Sequence, residues 1–270
     1  MTDEFKTRSP KEVAEFLRHL AFATEQGLGR KSLAAEMLLH WLNGNGCKKV
    51  FSSDFLKDVP LIDRYLMNEV RPVFLTQKKA VLIGHRIWGG IVARIKGIMP
   101  TDGKPQLPDG RWPINYEGSS IEMPMIDAAK LRLGIKIDER EQDLFHALHG
   151  FGLATEVVMA AEPLGFEKYE VRFDRWLTRA IDRYHWNPGR RIVLPNPDFG
   201  SRDRSAIAPG QPVITFHYRH AIRVEQAGLA HPFESESTEW TPSDPRITAR
   251  AVIDTSRYFV TADGLEYRQQ

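Results

Sequence analysis

Apolar residues recur at helical spacing at the start of the chain. Val13, Phe16, Leu17 and Leu20 predict a first helix, with Ser9 as its cap, Pro10 in its first turn, and Gly27 and Gly29 ending it. Leu33, Met37, Leu38, Trp41 and Leu42 mark a second helix over 31–43, stopped by Asn43-Gly44-Asn45-Gly46. A shorter helix follows Asp58-Val59-Pro60 and carries Leu61, Tyr65 and Leu66. The segment 76–99 fits a helix passably, weakened by Gly84, Gly89 and Gly90. Residues 100–124, rich in Pro, Gly and Asp, read as a long irregular loop. A short helix is expected over 138–148, capped by Asp138 and ended by Gly150.

Then the period shortens. Residues 153–161 and 166–184 are β-rich and flank Glu162-Pro163-Leu164-Gly165, a hairpin signal. Tyr169 to Leu177 alternates as a half-buried antiparallel strand does. Residues 187–212 read as a loop, too proline-rich near Leu194-Pro195-Asn196-Pro197 for a central strand. A strand over 213–218, a helix over 220–229 and a strand pair over 246–260 complete the chain. Helices first and sheet afterwards predict an α+β fold, with N-terminal helices packed on an antiparallel, partly open, barrel-like sheet. The expected division is a helical region, 1–75, and an α+β domain, 76–270, with the helix of 31–46 packing into the latter.

Composition narrows the class. With 42% apolar and 27% charged residues in 270, the chain can bury a core of ordinary size. A net charge of +2, with both signs interspersed, gives no reason to expect nucleic acid as a partner. The single Cys47 excludes an internal disulfide and a Cys-rich zinc site. Met1 to Lys6 has no apolar signal core and no run is long enough for a membrane-spanning helix. The expectation is a protein made in the cytoplasm without a signal peptide or transmembrane segment.

The richest chemistry lies in Ile181-Asp182-Arg183-Tyr184-His185-Trp186-Asn187-Pro188. In an extended backbone Asp182 and Tyr184 share one face and Arg183 and His185 the other, before Pro188 and Gly189 turn the chain. Asp182 could ligate a metal or activate water, Tyr184 could donate to an oxyanion, and His185 could shuttle protons. A polar strand end explains the same residues, and both readings are open. The group His217, Tyr218, Arg219 and His220, with Arg223 and Glu225, suits phosphate or forms a polar rim at an element boundary. His146 and His149, three apart on a helix, read as a solvated face, with a shared metal as the alternative. No phosphate loop, HExxH, GxSxG or full GxGxxG motif occurs.

Asp182-Arg183-Tyr184-His185-Trp186-Asn187 resembles the catalytic stretch of colicin M and its relatives, Asp-x-Tyr-Asp-x-Asn followed shortly by His-Arg. His40-Trp41-Leu42-Asn43-Gly44-Asn45-Gly46 resembles the His-aromatic-Leu-x-Gly-Asn-Gly segment that opens that catalytic domain. Phe173 and Trp176, on the strand before the motif, also have counterparts there. The two motifs cover only a small part of the chain.

The resemblance implies a Mg2+-dependent hydrolase that cleaves lipid II, the polyprenyl-linked peptidoglycan precursor, between lipid and pyrophosphate. Asp182, Tyr184 and Asn187 match motif positions, and Asp182 becomes the expected metal ligand. His185 stands where the family has its second acid. The His-Arg pair has two counterparts, Arg190-Arg191 or the displaced group His217, Arg219 and His220, as the expected substrate-binding residues. The implied biology is an antibacterial toxin injected into a competitor's periplasm by a carrier such as type VI secretion, with an immunity protein as partner. A catalytically degenerate, secretion-associated binding protein is the alternative, and a metal-dependent hydrolase of another substrate is a third.

Overall fold

The computed structural model describes residues 3–28, 31–75, 90–96, 107, 109–122, 139–203, 206–256, 258–261 and 264–267. The Asp138 cap and most of 76–99 lie outside these residues. In chain order the labelled helices are α1 (Pro10–Leu28), α2 (Leu33–Asn43), α3 (Pro60–Tyr65), α4 (Arg71–Leu75), α5 (Glu139–Leu148) and α6 (Tyr218–Gln226). The first strands are β1 (Lys49–Phe51), β2 (Trp112–Glu122), β3 (Gly150–Gly165), β4 (Lys168–Tyr184) and β5 (Arg191–Pro195). They are followed by β6 (Val213–His217), β7 (Phe233–Ser237), β8 (Ala251–Asp254), β9 (Tyr258–Thr261) and β10 (Gly264–Tyr267). The fold is α+β, as expected, and its main sheet is dominated by antiparallel pairs and does not close. No described helix is long and apolar enough to cross a membrane.

Two compact units form, and they do not follow the expected break at residue 75. The first gathers Met1–Phe55, Glu122–Phe151 and Ile181–Ser237; the second gathers Leu56–Ile121, Gly152–Ala180 and Thr238–Gln270. Each is assembled from segments far apart in the chain, which local periodicity does not report.

In the first unit, α1 opens with a reciprocal cap. The Glu12 carboxylate accepts from the Ser9 N–H at 2.8 Å, and the Ser9 hydroxyl accepts from the Glu12 N–H at 3.3 Å. Those Ser9 bonds, with help from Arg8, hold the Glu12 carboxyl down at about 2. Val13, Phe16, Leu17 and Leu20 are buried, as their spacing requires. Helix α2 packs against α1 and α5, and Ser32 caps it by accepting from the Ala35 N–H at 3.1 Å. Its stop works through Asn45 and Gly46, whose φ values of 51° and 76° are left-handed. The last four residues of β4 pair antiparallel with β7, placing Asp182 opposite Ser235 and Tyr184 opposite Phe233. Strand β7 also pairs parallel with β1. Neither β1 nor β7 was expected; Phe-Glu-Ser-Glu-Ser alternates, but its inward residues include the polar Ser235 and Ser237.

The expected loop 187–212 contains β5, which pairs antiparallel with β6 in a two-stranded sheet. Both strands are edges, so the missing N–H of Pro195 at the end of β5 breaks no central ladder. Beyond it, the buried Asn196 side chain pins the returning loop. Its Nδ2 donates to the carbonyls of Ile207, Ala208 and Gln211 at 2.9–3.0 Å, and its Oδ1 accepts from the Asp198 N–H at 3.0 Å.

In the second unit the sheet order is β2-β3-β4, with β8 antiparallel to the start of β4. The β3–β4 hairpin forms, but its turn lies at the left-handed Gly165, Phe166 and Glu167, because the expected turn residues 162–165 extend β3. Residues 112–122 correct the expectation of an irregular loop. They form an edge strand, where Pro113 is tolerated and Trp112, Ile114 and Tyr116 are buried. Phe74, Tyr116, Phe173 and Trp176 build an edge-to-face aromatic core, with Phe74 and Trp176 centred 5.3 Å apart. The expected strand pair over 246–260 separates, since β8 joins β4 whereas β9 pairs with β10.

Candidate active site

The end of β4 carries its side chains in the alternation expected of it. Tyr184 is buried, Asp182 half-buried, and Arg183 and His185 exposed. Gly189, at φ 80°, makes the turn that follows. Trp186 locks the strand end into an aromatic cluster, meeting Tyr218 at 4.7 Å, Trp41 at 5.6 Å and Phe216 at 5.7 Å. Tyr184 stacks on Phe233 at 5.1 Å. Because Trp41 ends α2 and Tyr218 opens α6, the motif is clamped by two helices of its own unit.

Asp182, Tyr184, His185 and Trp186 line a cavity of about 410 Å3 within the first unit. Its apolar wall includes Leu17, Leu20 and Ala21 from α1, Leu38 from α2, and Ile192 and Leu194 from β5. Burial beside this wall pushes the Asp182 carboxyl up to about 6, against smaller opposing effects of the Arg183 N–H and His185. Burial also raises the Tyr184 phenol, so it stays protonated and faces the cavity as a donor. His185 holds the Arg183 carbonyl with Nδ1 at 2.7 Å and meets Asn187 Oδ1 with Nε2 at 3.1 Å. The Arg183 carbonyl and the Asn187 side-chain amide thus hold the ring from both sides.

His146 on α5 and His149, just past its end, correct the expectation of a solvated face. His146 and His149 both line the cavity. Burial, reinforced by His149, lowers His146 to about 4, and burial, reinforced by Arg190, lowers His149 to about 4. His149, itself left-handed at φ 51°, meets the Tyr218 hydroxyl through Nε2 at 2.5 Å. The buried His146 Nδ1 has no hydrogen-bond partner among the described residues. Local spacing showed that the two imidazoles share a face, but which way α5 faces depends on α2. Asp143 is the link: buried, it accepts from Ser32 Oγ at 2.5 Å, from the Leu33 N–H at 2.8 Å and from the Ala34 N–H at 3.1 Å. It therefore serves the N-terminus of α2, whereas Asp182 and Glu139 line the cavity without that role.

The expected substrate-binding residues divide. Arg190 acts electrostatically on both His149 and Tyr218, whereas Arg191 is exposed and pairs in register with His217 across β5 and β6. Arg219 and His220 are committed elsewhere. Both bind the Asp3 carboxylate, His220 through Nε2 at 2.8 Å, and the buried His220 ring packs against Phe5. None of these five residues lines the cavity, and neither does Asn187. Among the described residues no three His, Cys, Asp or Glu side chains converge to hold a metal ion. The Asp182 carboxylate suits a Mg2+ that arrives with substrate oxygens and water, because Mg2+ commonly takes only one or two protein carboxylates. Comparison with protein-family models, with curated proteins and with solved structures gave no match to this chain.

Proposed function

We propose that this chain is an antibacterial effector that hydrolyses a polyprenyl-linked pyrophosphate, lipid II or a close analogue. The observation that carries the proposal is Asp182, a desolvated carboxyl raised to about 6 on the wall of a largely apolar cavity. At neutral pH such a group is mostly ionised yet basic enough to take a proton from water. The apolar wall suits a hydrocarbon chain, and Arg190, beside His149 and Tyr218, supplies positive charge for phosphate.

In this scheme water attacks the lipid-proximal phosphorus and Asp182 takes the water proton. The P–O bond to the polyprenyl group breaks, and the leaving oxygen gains a proton from solvent. Tyr184 donates to a phosphoryl oxygen, where charge develops. Alternatively Asp182 would hold Mg2+ together with the substrate, the ion neutralising phosphate charge while solvent takes the water proton. Delivery by a secretion machine into the target periplasm, and a cognate immunity protein, belong to the same proposal.

The test is periplasmic expression of the wild type and Asp182→Ala, paired with purified lipid II with and without Mg2+. Toxicity and release of the polyprenol are expected from the wild type alone; equal behaviour of both chains refutes the assignment. A degenerate binding protein is the second reading, favoured by His185, which stands at an acid position with its ring tied to Arg183 and Asn187. Cleavage that appears only in His185→Asp would favour that reading.

A further inference from the structure

The alternation that sets Asp182 and Tyr184 on one strand face places Trp186 there too, and all three line the cavity of the first unit. The Tyr184 and Trp186 rings stand at 90° to each other with centroids 6.0 Å apart, and the Asp182 charge acts on Tyr184. Charge in this cavity is one-sided. Its lining carries Glu139, Asp143 and Asp182 but, among the described residues, no Lys or Arg. Burial holds His146 and His149 at about 4, so both are neutral at pH 7. Asp143 is satisfied by the donors at the start of α2. Asp182 is not: among the described residues its carboxyl receives the Arg183 N–H and no side-chain donor, and His185 acts on it through charge alone. The Arg183 guanidinium pairs with Glu234 instead, at 3.7 Å. The Tyr184 hydroxyl, on a side chain 8% exposed, has no hydrogen-bond partner among the described residues. A desolvated carboxylate and an unpaired phenol cost stability that a bound cation carrying N–H donors would recover.

We infer that the cavity binds a long-chain alkylammonium ion, its head paired with Asp182 beside Tyr184 and Trp186 and its tail along Leu17, Leu20, Leu38, Ile192 and Leu194. The ammonium donates one N–H to the Asp182 carboxylate and a second to the Tyr184 oxygen, which accepts while keeping its own proton. The two aromatic rings add cation–π attraction, which is strongest where the cation has lost its water. An alkyl phosphate offers the same tail with the wrong sign of charge for this lining. The inference goes beyond the proposed hydrolysis, where Mg2+ held by Asp182 would meet the same negative charge, and it does not need Asp182 to be a catalyst.

The experiment titrates the full chain calorimetrically at pH 7.5 with decylammonium, decanol and decyl phosphate, which share a tail and carry a positive, neutral or negative head. The wild type should bind decylammonium at a single site, about tenfold more tightly than decanol, and decyl phosphate more weakly than either. Asp182→Asn, which keeps the shape without the charge, should bind decylammonium about tenfold more weakly and decanol within about twofold of the wild type. Tyr184→Phe, which keeps the ring and loses the hydroxyl, should weaken decylammonium about fivefold. Equal decylammonium affinity in wild type and Asp182→Asn overturns the inference, as does a wild type that prefers decyl phosphate or takes up decylammonium without saturating one site. Decylammonium binding that depends on Asp182, in a chain that leaves lipid II intact, sustains the inference while removing the proposed hydrolysis; cleavage of lipid II without such binding does the reverse.

Discussion

Asp182→Asn should make the protein more stable at neutral pH while abolishing activity. The carboxyl has an ordinary value of 3.8 and is raised to about 6 in the fold. Between those values the folded chain holds more protons than the unfolded one, so stability falls as pH rises across that window. Above it the penalty is constant, and a shift of this size corresponds to about 3 kcal/mol. Asn keeps the shape and carries no charge, which removes the penalty. It also weakens the bond from the Arg183 N–H, offsetting roughly 1 kcal/mol. The net expectation is a gain of about 1–3 kcal/mol at pH 7.5 that fades to nothing, or becomes a slight loss, at pH 4. Urea unfolding followed by tryptophan fluorescence at pH 4, 6 and 7.5 measures it. A difference between the two chains that stays constant with pH, or grows as pH falls, would refute the assignment of a desolvated carboxyl at this position.

Three further outcomes follow from the same contacts. Asp143→Ala removes three hydrogen bonds that cap α2 and should lower stability by about 2–4 kcal/mol, visible as a fall in the circular dichroism melting midpoint; an unchanged midpoint would mean that α2 does not depend on α5. Asn196→Ala unpins the loop that returns from β5 to β6 and should cost about 2–3 kcal/mol, with faster limited proteolysis between Asp198 and Gln211. Arg190→Gln should raise KM for a pyrophosphate substrate about tenfold with a smaller effect on kcat, whereas Arg219→Gln, whose guanidinium is engaged by Asp3, should leave both unchanged.

Much of the local structure was legible along the chain. Ser9, Pro10 and the spacing of Val13, Phe16, Leu17 and Leu20 specified α1, because caps and helical periodicity are written within a few residues of one another. The Asn-Gly stop of α2, the β3–β4 hairpin and the alternation that buries Tyr184 while exposing Arg183 and His185 were readable for the same reason. Strand β2 was obscured by Pro113 and Gly118, residues tolerated because the strand lies at an edge. Short β1 and β7 gain their identity only by pairing across the chain, through Lys49 opposite Ser235 and Tyr184 opposite Phe233.

The sequence by itself determined α1, α2, α3, α5 and α6, the existence of the hairpin, the α+β class and the placing of Asp182 and Tyr184 on one strand face. These depend on backbone periods and on neighbours a few residues away. Only the tertiary structure decided which polar residues were left to meet a ligand. Arg219 and His220 looked like an anion site until Asp3, more than two hundred residues away, occupied them. His146 and His149 looked like a wet helix face until Asp143 fixed α5 against α2 and turned both imidazoles towards the cavity. Desolvation and long-range pairing set the chemistry of a side chain, and both depend on what packs against it in three dimensions.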